Sequence, residues 1–178
     1  VRRVLLRVHP ADGWDGSGRA SAALPERYTR TARQELGVWP VEVYSRPSGE
    51  LPDVGAAFVN GLRLTGAAIE PEAVYPGGLL VVYTAWNGRG AEMSGGEKIF
   101  LHLLGGDGGI VAQADVLFYE HAGEGATAAY GILLPDSLPD GPYRLILGLY
   151  DPSLDGAPRI WTEDGRDFVE LGALTPTP

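Results

Sequence analysis

Apolar residues in this chain recur at alternate positions over short runs, and glycine, proline, aspartate and asparagine cut the runs apart. The clearest run is Gly141-Pro142-Tyr143-Arg144-Leu145-Ile146-Leu147-Gly148-Leu149-Tyr150-Asp151-Pro152. In an extended backbone Tyr143, Leu145, Leu147 and Leu149 point one way, and Arg144, Ile146, Gly148 and Tyr150 the other. Both faces are largely apolar, which predicts an inner strand of an antiparallel sheet, covered on both sides. Leu133-Leu134-Pro135 and Asp151-Pro152 bracket it, because proline donates no ladder hydrogen bond. Asp140-Gly141 supplies the reversal into it.

The same pattern predicts strands over residues 57–64, 65–70, 79–86, 98–104, 109–115, 126–133, 142–150, 159–161 and 167–171. Turn signals stand between them at Asn60-Gly61, Pro76-Gly77-Gly78, Asn87-Gly88, Gly105-Gly106-Asp107-Gly108-Gly109, Asp140-Gly141, Asp155-Gly156 and Asp164-Gly165. Many short strands with almost no helix predict a mainly β fold, an antiparallel β-sandwich of immunoglobulin-like or carbohydrate-module-like type over about residues 55–174. The first 45 residues read differently. Val4, Leu6 and Val8 alternate with Arg3, Leu5 and Arg7 in a strand, and residues 9–18 form a loop. A helix is expected from Ser21 to Leu36, with Ser21 as its cap, Leu24, Tyr28, Thr31/Ala32 and Leu36 at helical spacing, and Gly37 as its stop. Val41-Glu42-Val43-Tyr44 follows as a strand, so residues 1–45 are expected to form a small βαβ appendage. Residues 46–54 read as a linker and 175–178 as a disordered tail.

Composition sharpens this picture. Gly 26 and Pro 14 together make 40 of 178 residues, about a fifth against a usual share of roughly an eighth, and the excess sits in the turns. A net charge of −9 argues against nucleic acid as a partner, since phosphate binding needs clustered Lys and Arg, and against adhesion to an anionic membrane. With no cysteine, disulfides, thiolate catalysis and Cys-based zinc sites are excluded. No apolar run approaches the ~20 residues that span a bilayer, so no direct membrane insertion by this chain is expected. The sequence opens Val1-Arg2-Arg3 without an initiator Met and is expected to be a piece of a longer protein.

Several segments, in order, resemble the C-terminal extracytoplasmic β-sandwich domain of bacterial polyprenol-phosphate-sugar-dependent membrane glycosyltransferases, of the protein mannosyltransferase and aminoarabinose-transferase type. Gly61-Leu62-Arg63-Leu64-Thr65-Gly66 resembles its opening strand. Pro76-Gly77-Gly78 and the strand ending at Trp86 resemble its proline-glycine turn and tryptophan-closed strand. Phe100-Leu101-His102-Leu103, Asp107-Gly108 and Val111-Ala112-Gln113-Ala114-Asp115 resemble its hairpin, and Leu133 to Pro152 its last long hairpin, with Leu171-Gly172 near the exit strand. Residues 1–45, with Val4-Leu5-Leu6-Arg7-Val8 and Val41-Glu42-Val43-Tyr44, resemble the close of the transferase's own soluble part, which implies that they are the tail of a preceding soluble domain. The segment Phe118-Tyr119-Glu120-His121-Ala122-Gly123 and the loop 88–97 depart from the pattern. The resemblance implies a non-catalytic accessory or interaction domain on the extracytoplasmic face, tethered through a membrane-spanning parent. Its implied partners are the soluble and membrane parts of that parent, with a glycan or glycoprotein acceptor as a further one. The transferase's catalytic carboxylates match no part of this chain, and no cofactor is implied.

Candidate chemistry is sparse. His102 and Asp115 stand on strands expected to pair, so they form either half of a general acid–base couple or a structural polar pair. No Gly-x-Ser-x-Gly element accompanies them, which favours the structural pair. Glu163, Asp164 and Asp167, with Asp151 and Asp155, offer hard oxygen ligands, but Arg166 sits within the cluster and the spacing fits no EF-hand, so ordinary turns are expected and no metal site. His9, His102 and His121 fit no metal spacing. Trp86 lies on an alternating strand and is expected in the core. Trp14 and Trp161, in polar or turn-rich contexts, together with Tyr119, are the candidates for ligand binding, because exposed aromatic rings can stack on sugar faces. The expected function is therefore an accessory domain of a membrane glycosyltransferase. The alternatives are an independent carbohydrate-binding module, or a small hydrolase using His102 and Asp115.

Overall fold

The structure, a computed structural model, describes residues 2–8, 17–36, 38–47, 49–88, 95–118 and 127–176. Trp14, Tyr119, His9 and His121 lie outside them. In chain order the elements are β1 (Arg3–Arg7), α1 (Arg19–Ala23), β2 (Thr29–Leu36), β3 (Trp39–Ser45), β4 (Asp53–Ala57), β5 (Arg63–Glu70), β6 (Ala73–Val74), β7 (Leu79–Asn87), β8 (Lys98–Leu104), β9 (Ile110–Leu117), β10 (Thr127–Leu133), β11 (Tyr143–Tyr150), β12 (Arg159–Ile160) and β13 (Val169–Pro176). Two sheets face each other, one ordered β10-β7-β5-β4 and the other β6-β13-β11-β8-β9, with β12 pairing β11. The chain is thus mainly β, an antiparallel sandwich.

The connections make a Greek key. β8 and β9 form a hairpin in one sheet, the chain crosses to β10 in the other, and β11 returns to lie beside β8. Short β6 leaves the β5–β7 sheet and pairs in parallel with β13. At the start of β11 the Tyr143 hydroxyl donates to the Pro139 carbonyl, the tyrosine corner found in immunoglobulin-like sandwiches. One contiguous core joins Leu64, Leu80, Val82 and Ile132 of the first sheet to Ile99, Leu101, Leu145 and Leu147 of the second. Trp86 lies in it, edge-on to Phe118 at 5.3 Å, with its indole N–H donating to Thr84 Oγ1 at 2.9 Å.

β11 is an inner strand between β8 and β13. Its Tyr143/Leu145/Leu147/Leu149 face enters the core. Its other face is covered by side chains of its own sheet rather than by a further layer. Phe100 lies over Gly148, where a Cβ would stand 2.1 Å from the ring. Arg159 in turn sits 4.4 Å above Phe100.

The N-terminal part corrects the βαβ expectation. Its helix is the single short α1, and residues expected at its end form β2 instead, giving a three-stranded antiparallel sheet ordered β1-β3-β2. β-branched Thr29 and Thr31 favour the pleated surface, and Pro25 stands just beyond α1, where it cannot continue the helix. A bulge between Arg30 and Ala32 makes consecutive residues Thr31 and Ala32 both buried, which in sequence imitates helical spacing. This sheet lies on the outer face of β7 and β10. Thr31 packs on Gly131, and Val81, Tyr83 and Ala129 form a second small cluster beneath it, joined by Leu51 from the expected linker. The strand expected over 57–64 is two pieces, since the Asn60-Gly61 turn divides β4 from β5. β13 runs through Thr175 and Pro176, into the expected disordered tail, because both pair with β6.

Candidate ligand-binding end of the sandwich

β8 begins, β9 ends and β11 ends at one end of the sandwich, as their antiparallel registers require, and β7 ends there too, since its Trp86 packs on Phe118 just beyond β9. Loops at a sandwich end, held by a rigid scaffold, are where such folds carry recognition. Here a hollow of about 480 Å³ opens between the β4–β5 turn and the loop from β11 to β12, lined by Val59, Asn60, Glu97, Asp151, Leu154 and residues 158–161.

Trp161 stands at its side with 53% of its surface exposed. Its position is fixed by backbone pairing. Val59 N–H donates to the Trp161 carbonyl at 2.9 Å, Glu163 N–H to the Ala57 carbonyl at 2.8 Å, and Phe58 bridges Thr162. Arg159, two residues before it, is held between the Phe100 ring and the Asp167 carboxylate at 2.9 Å. On the polar side, Asn60 Oδ1 accepts from Leu62 N–H at 3.2 Å. Its Nδ2 is buried and finds no hydrogen-bond partner among the described residues. Asp151 Oδ1 accepts from the Ser153 N–H at 2.9 Å and from its hydroxyl at 2.6 Å. Glu97 Oε2 accepts from Gly95 N–H at 2.9 Å.

Of the sequence-based candidates, Trp161 is therefore exposed beside a hollow, while Trp14 and Tyr119 lie outside the described residues. His102 and Asp115 share the outer face of the β8–β9 hairpin on diagonal positions, since Phe100 opposes Asp115 and His102 opposes Gln113. They face away from the sandwich interior and do not line the hollow. Burial holds the His102 imidazole below its ordinary value; the Asp115 charge opposes this and the Arg159 charge adds to it. The Tyr150 phenol is raised by burial and by its hydrogen bond to Asp115. The carboxylate cluster is dispersed among local partners. Arg166 Nε donates to Asp164 at 2.9 Å and, with Thr162, holds that carboxyl below its usual range, while Asp167 pairs with Arg159. Among the described residues no group of three or more His, Asp or Glu could hold a metal.

Sequence reasoning missed Asn60, Val59, Leu154 and Glu97 at the hollow. One of them carried a readable signal. Leu154 is a large apolar residue inside the turn segment Ser153-Leu154-Asp155-Gly156, where no strand alternation accounts for it, whereas Val59 fell within the strand expected over residues 57–64. No protein-family model matches the chain, and no curated protein matches it. No helix among the described residues is long and apolar enough to cross a membrane.

Proposed function

We propose that this chain is a non-catalytic accessory domain of a polyprenol-phosphate-sugar-dependent membrane glycosyltransferase, working on the extracytoplasmic face by contact rather than by chemistry. The observation that carries this reading is the division of labour in the sandwich. Its apolar faces are consumed by packing, and the loop end leaves to solvent a tryptophan on a paired stretch of backbone with two apolar neighbours, beside a small buried polar floor. That is the make-up of a binding surface. The order of strands bearing Gly61–Gly66, Pro76–Trp86 and Leu133–Pro152 supports the link to the transferase domain that those segments resemble.

The test is made on the parent protein. The reading frame ahead of Val1 is expected to encode several apolar segments of about 20 residues. Removing the sandwich from that protein is expected to raise KM for its acceptor and leave kcat unchanged, because uniform binding is lost and transition-state contacts are not. A frame without such segments, or a collapse of kcat in a folded truncate, contradicts the reading. An independent carbohydrate-binding module is the second reading, favoured by the exposure of Trp161, and a secretory leader directly ahead of this chain would select it.

A further inference from the structure

We propose that the hollow beside Trp161 is a saccharide site, which takes the apolar face of a neutral pyranose ring on the indole and its hydroxyls on the polar floor. The inference rests on the reading of the chain as a binding domain and names what it binds. Three large apolar side chains are left to water around this one hollow: Trp161, Leu154 at 55% and Val59 at 65% exposure. Single exposed apolar residues are ordinary, but three gathered on a concave wall form a surface that a ligand's apolar face can cover. The volume, about 480 Å³, lies within the range of small-ligand sites.

The polar floor selects the ligand class. Asn60 is oriented by the bond its Oδ1 accepts from Leu62, which leaves Nδ2 as a donor with no partner among the described residues. A buried donor left unpaired is costly, and a ligand oxygen would relieve that cost. Beside it stand two carboxylates, Asp151 at 7% and Glu97 at 1% exposure, which only accept. A donor next to acceptors is complemented by a group that both accepts and donates, and a hydroxyl does this at one atom. A pyranose carries such hydroxyls as a rim around a flat C–H face, and so meets the floor and the indole together. Arg159, the cation on this lining among the described residues, is already paired with Asp167 and set over the Phe100 ring, so it does not single out a phosphate or carboxylate ligand. A purely apolar ligand would leave Asn60 unpaired. The backbone of the wall is ordered before the ligand arrives, because Trp161 is paired with Val59 and Arg159 is held by Phe100 and Asp167, so the ordering cost of binding falls on the indole and not on the loop.

The experiment is calorimetric titration of the whole 178-residue chain, with methyl glucoside, galactoside and mannoside and their short linear oligomers as separate probes. Saturable binding by at least one is expected. Trp161→Ala should weaken it about tenfold or more, the loss of a stacked aromatic contact plus its buried area, with an unchanged circular dichroism spectrum. Trp161→Phe, which keeps a flat ring, should retain part of the affinity. Asn60→Asp, which keeps the acceptor for Leu62 and removes the donor, should weaken it several-fold. No saturable binding by any probe, or binding that survives Trp161→Ala undiminished, overturns the site. If no saccharide binds but the transferase's KM still depends on the domain, the site falls and the accessory reading stands. If saccharide binds while the upstream frame encodes no membrane spans, the site stands and the accessory reading falls.

Discussion

Phe100 shows how one side chain ties the core to the loop end. It points outward from β8, yet it is buried, because Gly148 gives its ring a flat floor and Arg159 a lid. Gly148→Ala would push a methyl group into that ring and to 2.9 Å from the Asp167 carbonyl oxygen. The expected cost is about 1–3 kcal/mol of stability, as in other overpacked sites, read as a lower urea midpoint with an unchanged m-value. His102 beside it gives a pH signature. Its folded-state pKa lies below the unfolded value of about 6.5, because burial disfavours the imidazolium. Between those two values the unfolded chain binds more protons, so stability falls as pH drops through about 6.5 and the loss is complete below the folded pKa. Wild type should therefore lose more Tm between pH 7 and pH 5 than His102→Gln does, and parallel curves would contradict this. The sequence placed His102 and Asp115 on strands expected to pair, and β8 and β9 do pair, with both residues on one face of the hairpin. It could not show that this face looks outward, because Phe100, Ile146 and Gly148 make the outer face as apolar in composition as the inner one.

The elements that sequence read best are near-continuous apolar runs of seven to nine residues with a turn at each end. β7, β8 and β11 are each legible to within a residue, since their apolar runs are of strand length and glycine, proline or asparagine stands at or near their borders. β2 is not. Its bulge sets Thr31 and Ala32 on the same buried side, and Arg30 and Arg33 both reach Glu42 across the strand pair, at 2.9 and 3.6 Å. Buried residues at a break in alternation mimic a helical face, and only the partner strand β3 decides between the two. The consequence is a third β-layer, and Gly131 is the residue that lets it approach. A Cβ there would stand 1.7 Å from the Thr31 carbonyl oxygen, a backbone atom that cannot swing aside. Gly131→Ala should thus cost about 3 kcal/mol or somewhat less if the layer shifts, and should speed proteolysis within residues 29–45 more than within β8 or β11. Equal protection of both regions in the variant would show that the layer is not seated on Gly131.

For the whole molecule, the two apolar faces of a sandwich satisfy one another, and a third small sheet covers what remains on β7 and β10. The sandwich followed from composition and period, but the third sheet did not, because residues 21–36 read as a helix, and neither did the order in which the strands connect. The loop end did not follow. Asn60, Glu97, Asp151, Leu154 and Trp161 come from four separate stretches of chain, and their meeting depends on β8, β11 and the Val59–Trp161 pairing being in register. Trp161 could be picked out by its polar context, whereas a buried amide donor such as Asn60 Nδ2 has no signature in sequence. The account as a whole separates two tryptophans, one sealed inside and one offered to a ligand. A titration of the chain with saccharide, following the indole N–H signals of Trp86 and Trp161 by two-dimensional ¹H–¹⁵N nuclear magnetic resonance, tests that separation directly. The account predicts a saturable shift of the Trp161 signal with the Trp86 signal unmoved and slow to exchange with solvent. A Trp161 signal indifferent to every saccharide, or a Trp86 signal that exchanges rapidly, would contradict it.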